Sequence, residues 1–289
     1  MCKVAGVTGI NDNNRNAVWD FMKDLGVFMT VYNNHGLGYS AFDKSGNIFG
    51  EKWLYNKDAF REVSSSESVL SSVRKDYAYF GDSVKRDEAR GIILHTRMAT
   101  CTRNIENTHP FVDNFDSPKF SLIHNGVIYN DNKLTKKHST CDSEVILHEY
   151  IKYKCDTDLK NIQKVADELY GWYTCFMLTK DKNNKPVMDI FSDSGRLDSY
   201  FIKELDCRVY SSNARDIERV ANHLGYTLQN GMGFSAGTMK RLDVDSGDCL
   251  FKGDFNPDKK ATENTRGYWS DADFDNWFIK QVEKEERGE

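Results

Sequence analysis

From Lys3 to about residue 255 the chain offers no place to cut it. Short apolar strand-type segments and amphipathic helices follow one another with no low-complexity linker between them. In a chain of 289 residues with four prolines, that continuity reads as one domain over residues 1–255, followed by a polar tail over 256–289. Lys3 to Ile10 reads as a strand of small residues, and Asn14 to Met29 carries Val18, Phe21, Met22 and Leu25 at helical spacing. Leu37 to Phe42 and Ile48 to Leu54 flank Lys44-Ser45-Gly46-Asn47, a hairpin pattern. Ser64 to Ser72 is Ser-rich, yet with Val63, Val69, Leu70 and Val73 it reads as mostly helical. Strand-type runs recur at Ile92 to Leu94, Phe120 to Ile123, Trp172 to Leu178, Val187 to Phe191 and Val209 to Ser211. Helical patterns cover Asp142 to Tyr153, Leu159 to Tyr170 and Arg215 to Leu224, before a final β region, Met239 to Phe255, turned at Asp245-Ser246-Gly247-Asp248. Strands and helices come in clusters, which predicts stacked sheets covered by helices.

Charge and cysteine usage narrow the function classes. The net charge of −5 argues against nonspecific nucleic-acid binding. The opening MCKVAGVTGI lacks a basic n-region and a long apolar core, so it does not read as a secretory signal, and no run approaches a membrane span. Seven cysteines, none paired as C-x-x-C, suit reduced thiols and a cytoplasmic location, with most of them small core residues.

Cys2 stands apart from the other six. Removal of Met1 would leave a thiol and a free α-amine on one residue, a nucleophile with its own general base. Three further blocks stand out: His95-Thr96-Arg97-Met98-Ala99-Thr100 with Asn107-Thr108-His109-Pro110-Phe111 after it, His124-Asn125-Gly126-Val127-Ile128-Tyr129-Asn130, and Cys141-Asp142-Ser143-Glu144-Val145-Ile146.

Together with Met1-Cys2, these blocks resemble the class II glutamine amidotransferase domain of the N-terminal-nucleophile hydrolases, which shows Met-Cys, H-T-R-x-A-T, H-N-G and (T/S)-D-x-E-V in this order. The resemblance extends to about residue 255. It implies an α+β fold, a four-layer α-β-β-α sandwich of two stacked, mainly antiparallel sheets. It also implies hydrolysis of the L-glutamine side-chain amide through a Cys2 thioester, with the Asn125 side chain and Gly126 N–H as the oxyanion hole. Glycine there lets the backbone approach substrate closely. Asn-Gly is ordinarily a turn dipeptide, but the Val127-Ile128-Tyr129 that follows argues for a strand. Arg97 would clamp the α-carboxylate, its planar fork matching a carboxylate, and Asp142 would hold the α-ammonium. The alternative for that pair is a structural ion pair. Thr100 and His109 stand between substrate contact and a buried structural role, and His95 and His124 read as structural.

The chain departs from the family pattern at Cys101-Thr102, where many members carry His-Gly, so the ordering of the loop over glutamine is open. The fit of Asp193-Ser194-Gly195-Arg196-Leu197-Asp198 to an Arg-Asp-Pro-Leu-type segment is loose. His148-Glu149 lacks the second His of a zincin helix. The Asp-rich run at 243–248 has its Gly one place early for a calcium loop and no closing Glu, the run at 271–276 has Asn where the loop Gly belongs and Val282 at its twelfth place, and no Gly-rich phosphate loop occurs. No metal and no cofactor are expected.

About 34 residues follow the resemblance, too few for a synthase fold, so the expectation is a stand-alone form that gives ammonia to a separate synthase partner. Phe274, Trp277 and Phe278 fall on one helical face of the tail and suit either such a contact or packing back on the domain. Two other function classes stand beside the glutaminase: an amidohydrolase for another γ-glutamyl or amide substrate, and an inactive binding or regulatory module. Arg97 and Asp142 favour free glutamine, and Cys2, Asn125 and Gly126 disfavour the inactive module.

Overall fold

The computed structural model describes residues 2–30, 33, 35–54, 86–99 and 102–257. The Ser64 to Ser72 segment, Thr100, Cys101 and the tail aromatics lie outside them. Thirteen strands among the described residues form two sheets. The first runs β11-β9-β10-β1-β4-β2-β3, with β1 (Lys3–Thr8) near its centre beside β4 (Arg90–Arg97) and β10 (Cys207–Ser211). Its flanks are the hairpin β2 (Gly36–Phe42) and β3 (Ile48–Trp53) on one side, and β9 (Asp198–Ile202) and β11 (Leu228–Gly233) on the other. The second runs β13-β12-β8-β7-β6-β5, that is Cys249–Asp254, Thr238–Asp243, Pro186–Ser192, Gly171–Lys180, Ser121–Ile128 and Phe111–Val112. Every pairing is antiparallel.

Strand periodicity decides what lies between the sheets. On β1, Ala5 and Val7 pack in one core with α1 (Arg15–Thr30) and α4 (Ala214–Leu224), whereas Val4 packs in another with Ile93, Ile123, Phe176, Leu178 and Met188. This second core joins the two sheets. Gly6 belongs to the same face, and a Cβ there would come within 2.7 Å of the Phe176 ring, so its lack of a side chain lets the sheets close. A third core joins the outer face of the second sheet to α2 (Glu144–Lys152) and α3 (Ile162–Glu168) through Val145, Ile146, Ile162 and Val165. The order is therefore helix, sheet, sheet, helix, the four-layer α+β sandwich implied by the resemblance.

The helices follow from their apolar spacing and ends. On α1 the predicted Val18, Phe21, Met22 and Leu25 are all buried. On α4 the Asn213 side chain accepts a hydrogen bond from the Arg215 N–H, and Gly225 closes the other end in a left-handed conformation that suits a residue without a Cβ. Buried polar groups also tie layers together. Arg241 on β12 donates through Nε (2.8 Å) and Nη2 (2.7 Å) to Asp189, its partner on β8, and through Nη2 to the Cys155 carbonyl. The Tyr150 hydroxyl of α2 donates to the same carboxylate. At the end of the described chain Phe255 is buried in the outer core and the Asn256 N–H donates to Gln163 Oε1. Cys141, Cys155, Cys175 and Cys207 are buried free thiols, as the sequence predicts for most of its cysteines, and Cys249 is exposed. No helix among the described residues is long and apolar enough to cross a membrane.

Candidate active site

The alternation that puts Val4 and Gly6 between the sheets puts Cys2 there too, at the open end of β1. Arg97 shares a face of β4 with Ile93, and Asn125 shares a face of β6 with Ile123, both residues of the inter-sheet core. Three of the sequence-predicted residues thus come from different strands of two sheets and converge on one interlayer space. The Cys2 Sγ accepts from the Met98 N–H at 3.3 Å and donates to the Met98 carbonyl at 3.4 Å. Burial pushes the thiol above its ordinary value; the Met98 backbone and Arg97 oppose that shift and Asp142 adds to it. The resting group is a thiol, and ionising it needs a base.

Arg97 is buried, and its guanidinium is steered by backbone: Nη2 donates to the Thr102 carbonyl (2.8 Å) and Nη1 to the Asn104 carbonyl (3.4 Å). The loop it grips is itself tied across the site. Asn107, fully buried, donates through Nδ2 to the Thr102 carbonyl (3.1 Å) and the Thr140 hydroxyl (2.8 Å), and accepts the Thr140 N–H (2.9 Å). Lys52 on β3 braces the far end of the loop by donating to the Thr108 carbonyl at 2.9 Å, and burial lowers its ammonium to about 8. Asn107 and Lys52 had no role in the sequence reading. The run Asn107-Thr108-His109-Pro110-Phe111 marked the first, and nothing marked Lys52.

Asn125 and Gly126 lie inside β6, opposite Thr174 and Tyr173, and not in a turn. Asn125 is 7% exposed and its side-chain oxygen has no hydrogen-bond partner among the described residues. A Cβ on Gly126 would overlap the Trp172 carbonyl and His124 Nε2, so close packing demands glycine at this position. Asp142, part-buried, accepts the Ile128 N–H through Oδ2 at 2.7 Å. The Glu144 carboxylate accepts the N–H groups of Lys137, His138 and Ser139 and so folds the loop before Cys141; the Glu in the last sequence block carries that signal.

His109 packs among other aromatic rings. It is buried and stacks on His95 with centroids 3.9 Å apart and edge-on to Phe111, with His124 6.4 Å away. Burial, reinforced by the neighbouring rings and Arg97, drives the His95 and His109 pKa values well below the ordinary imidazole value, so both rings are neutral. Among the described residues no group of three or more His, Cys, Asp or Glu has the arrangement to hold a metal ion.

No family model matches the sequence. Over 98 residues it is 32% identical to the amidophosphoribosyltransferase of Staphylococcus aureus, which covers 31% of this chain and 20% of that enzyme. Over 115 residues it is 31% identical to the isomerizing glutamine–fructose-6-phosphate aminotransferase of Methanosarcina acetivorans, covering 33% of this chain and 18% of that one. The matched stretches span about a fifth of those curated relatives. Among solved structures, glutamine phosphoribosylpyrophosphate amidotransferase from B. subtilis, complexed with ADP and GMP, superposes with a TM-score of 0.59 at 19% identity. It covers 88% of this chain and 49% of that one, a likeness of fold.

Proposed function

We propose that the chain is a class II glutamine amidotransferase that hydrolyses the side-chain amide of L-glutamine at Cys2, giving glutamate and ammonia; its partial likeness to an amidophosphoribosyltransferase and to a glutamine–fructose-6-phosphate aminotransferase supports this reading. The observation that carries this reading is the convergence of Cys2 from one sheet and Asn125 from the other on one interlayer space, with Arg97 beside them and Asp142 near enough to bear on the thiol. After removal of Met1, the α-amine of Cys2 takes the Sγ proton, and the thiolate attacks the amide carbon of glutamine. The negative charge that develops on the oxygen is met by the Asn125 side chain and the Gly126 N–H. The α-ammonium returns its proton to the leaving nitrogen, the C–N bond breaks, and ammonia departs from a γ-glutamyl thioester. Water, deprotonated by the same amine, adds to the thioester; sulfur leaves, regains its proton, and glutamate is released. Arg97, its guanidinium oriented by the Thr102 and Asn104 carbonyls, binds the α-carboxylate, and Asp142 binds the α-ammonium. Those two charges select a free amino acid over a glutamine within a peptide.

The ammonia passes to a separate acceptor or synthase partner in the cytoplasm, with residues 1–255 as the glutaminase domain and 256–289 as the candidate contact. Glutamate release from glutamine by the purified chain, beside Cys2→Ala, tests the activity, and intact mass reports the state of Met1. The expected result is turnover that vanishes in Cys2→Ala. Release that persists in Cys2→Ala, or a retained Met1 in active protein, overturns the mechanism. Pull-downs with and without residues 256–289 test the partner contact.

A further inference from the structure

We propose that Ser143, acting through His124, and Asp142, acting through the Ile128 N–H, are positioning residues that hold the Asn125-Gly126 segment of β6 in register for the oxyanion. This rests on the glutaminase reading for its kinetic part and on geometry alone for its structural part. Ser143 occupies the residue before α2 in a helical backbone conformation, its side chain makes no capping bond, and backbone carbonyls accept the first N–H groups of the helix. The Ser143 hydroxyl reaches instead to a residue 19 positions away, meeting His124 Nδ1 at 2.8 Å, with both groups buried. The Sγ of Cys141 lies beside this pair, 3.5 Å from the Ser143 hydroxyl and 3.4 Å from Asp142 Oδ1. Burial lowers the His124 pKa against the opposing pull of Asp142 and the Trp172 carbonyl, which favours the neutral ring that shares one hydrogen bond with Ser143.

The other side of the imidazole is the reason this contact matters. His124 Nε2 lies where a Cβ of Gly126 would fall, so the ring is wedged between Ser143 and the Gly126 backbone. One residue further back in the chain, Asp142 takes the Ile128 N–H at 2.7 Å, two residues past Gly126. Consecutive residues at the start of α2 therefore grip β6 before and after its Asn125-Gly126 step. The start of α2 thus holds β6 twice, through two neighbouring side chains on either side of the oxyanion step. The same Asp142 is assigned to the substrate ammonium, so filling that subsite bears directly on the strand that carries the oxyanion donors.

The test uses the full chain with Ser143→Ala and Ser143→Thr. Displacement of a preorganised donor gives an expected fall in kcat of about 10–100-fold in Ser143→Ala, with KM for glutamine within about twofold. Ser143→Thr, which keeps the hydroxyl, restores kcat. Hydrogen–deuterium exchange is expected to quicken in the peptide spanning residues 121–128 of Ser143→Ala while α1 and α4 are unchanged. If Ser143→Ala fails to fold, Ser143→Cys, of similar size and weaker hydrogen bonding, is read in the same way. Unchanged exchange over 121–128 overturns the proposal whether or not the chain turns over glutamine. A wild-type chain that releases no glutamate, yet shows the exchange change, overturns the glutaminase reading alone. A rise in KM that accounts for the whole kinetic loss, or a loss that Thr does not rescue, also overturns the positioning role.

Discussion

Cys2 keeps its proton in the resting protein because burial outweighs the Met98 N–H and the Arg97 charge. Asp193 shows the same force at another residue, with a sharper consequence. It is buried at the end of β8, where Oδ1 accepts the Tyr173 N–H at 2.7 Å, and burial raises its carboxyl from 3.8 to about 6. Raised in the fold and ordinary when unfolded, Asp193 costs nothing below pH 3.8; the penalty grows as pH rises through the window to about 6 and is full above it. Two units correspond to about 3 kcal/mol. Asp193→Asn keeps the acceptor for Tyr173 and sheds the charge. Its melting temperature is therefore expected to stand higher relative to the parent at pH 7.5 than at pH 4.5. An equal difference at both pH values would refute the assignment.

At the scale of elements, Arg241 and Asp189 pin β12 to β8, and through Tyr150 and the Cys155 carbonyl they pin α2 and the segment after it. Arg241→Met leaves the Asp189 carboxylate buried without its cation, at an expected cost of about 3–5 kcal/mol in urea denaturation. Adding Asp189→Leu is expected to return part of that loss, because the pair's burial is itself costly. A single substitution costing under about 1 kcal/mol would show the pair to be solvated. This network lay outside the sequence reading: nothing in the strand pattern distinguishes a charged residue pointing inward from one pointing to solvent. Elements with strong periodicity were legible, among them α1, α2, α4, the β2–β3 hairpin and the β12–β13 pair. The missed strands are the weakly patterned ones. β11, Leu228-Gln-Asn-Gly-Met-Gly, is an edge strand with a register shift and mostly exposed side chains, so no buried face imposes alternation on it. β9 opens in a segment read only as a loose family match, and β5 is two residues long. Of the candidate site, the blocks marked the residues that meet substrate in the proposed reaction. They did not show which neighbours hold them, because Asn107, Ser143 and Lys52 act on the Thr140 N–H, the His124 ring and the Thr108 carbonyl, all distant in sequence.

For the whole molecule, the proposed nucleophile and oxyanion hole sit on opposite sheets, so the distance between sulfur and its target is a stacking thickness. Phe176 sets that thickness beside Gly6, whose missing side chain it fills. Phe176→Leu is expected to cost about 1–3 kcal/mol. It should also lower kcat about tenfold well below the melting temperature, since misplacement by a fraction of an ångström is enough. Val165→Ala, in the outer core under α3, is the matched comparison: similar stability loss, unchanged kcat. Equal effects of the two substitutions on kcat would break this link. The apolar filling between the layers then works as a feeler gauge, and a chain that drifts in its interior volume retunes its own chemistry without altering a single residue that substrate touches.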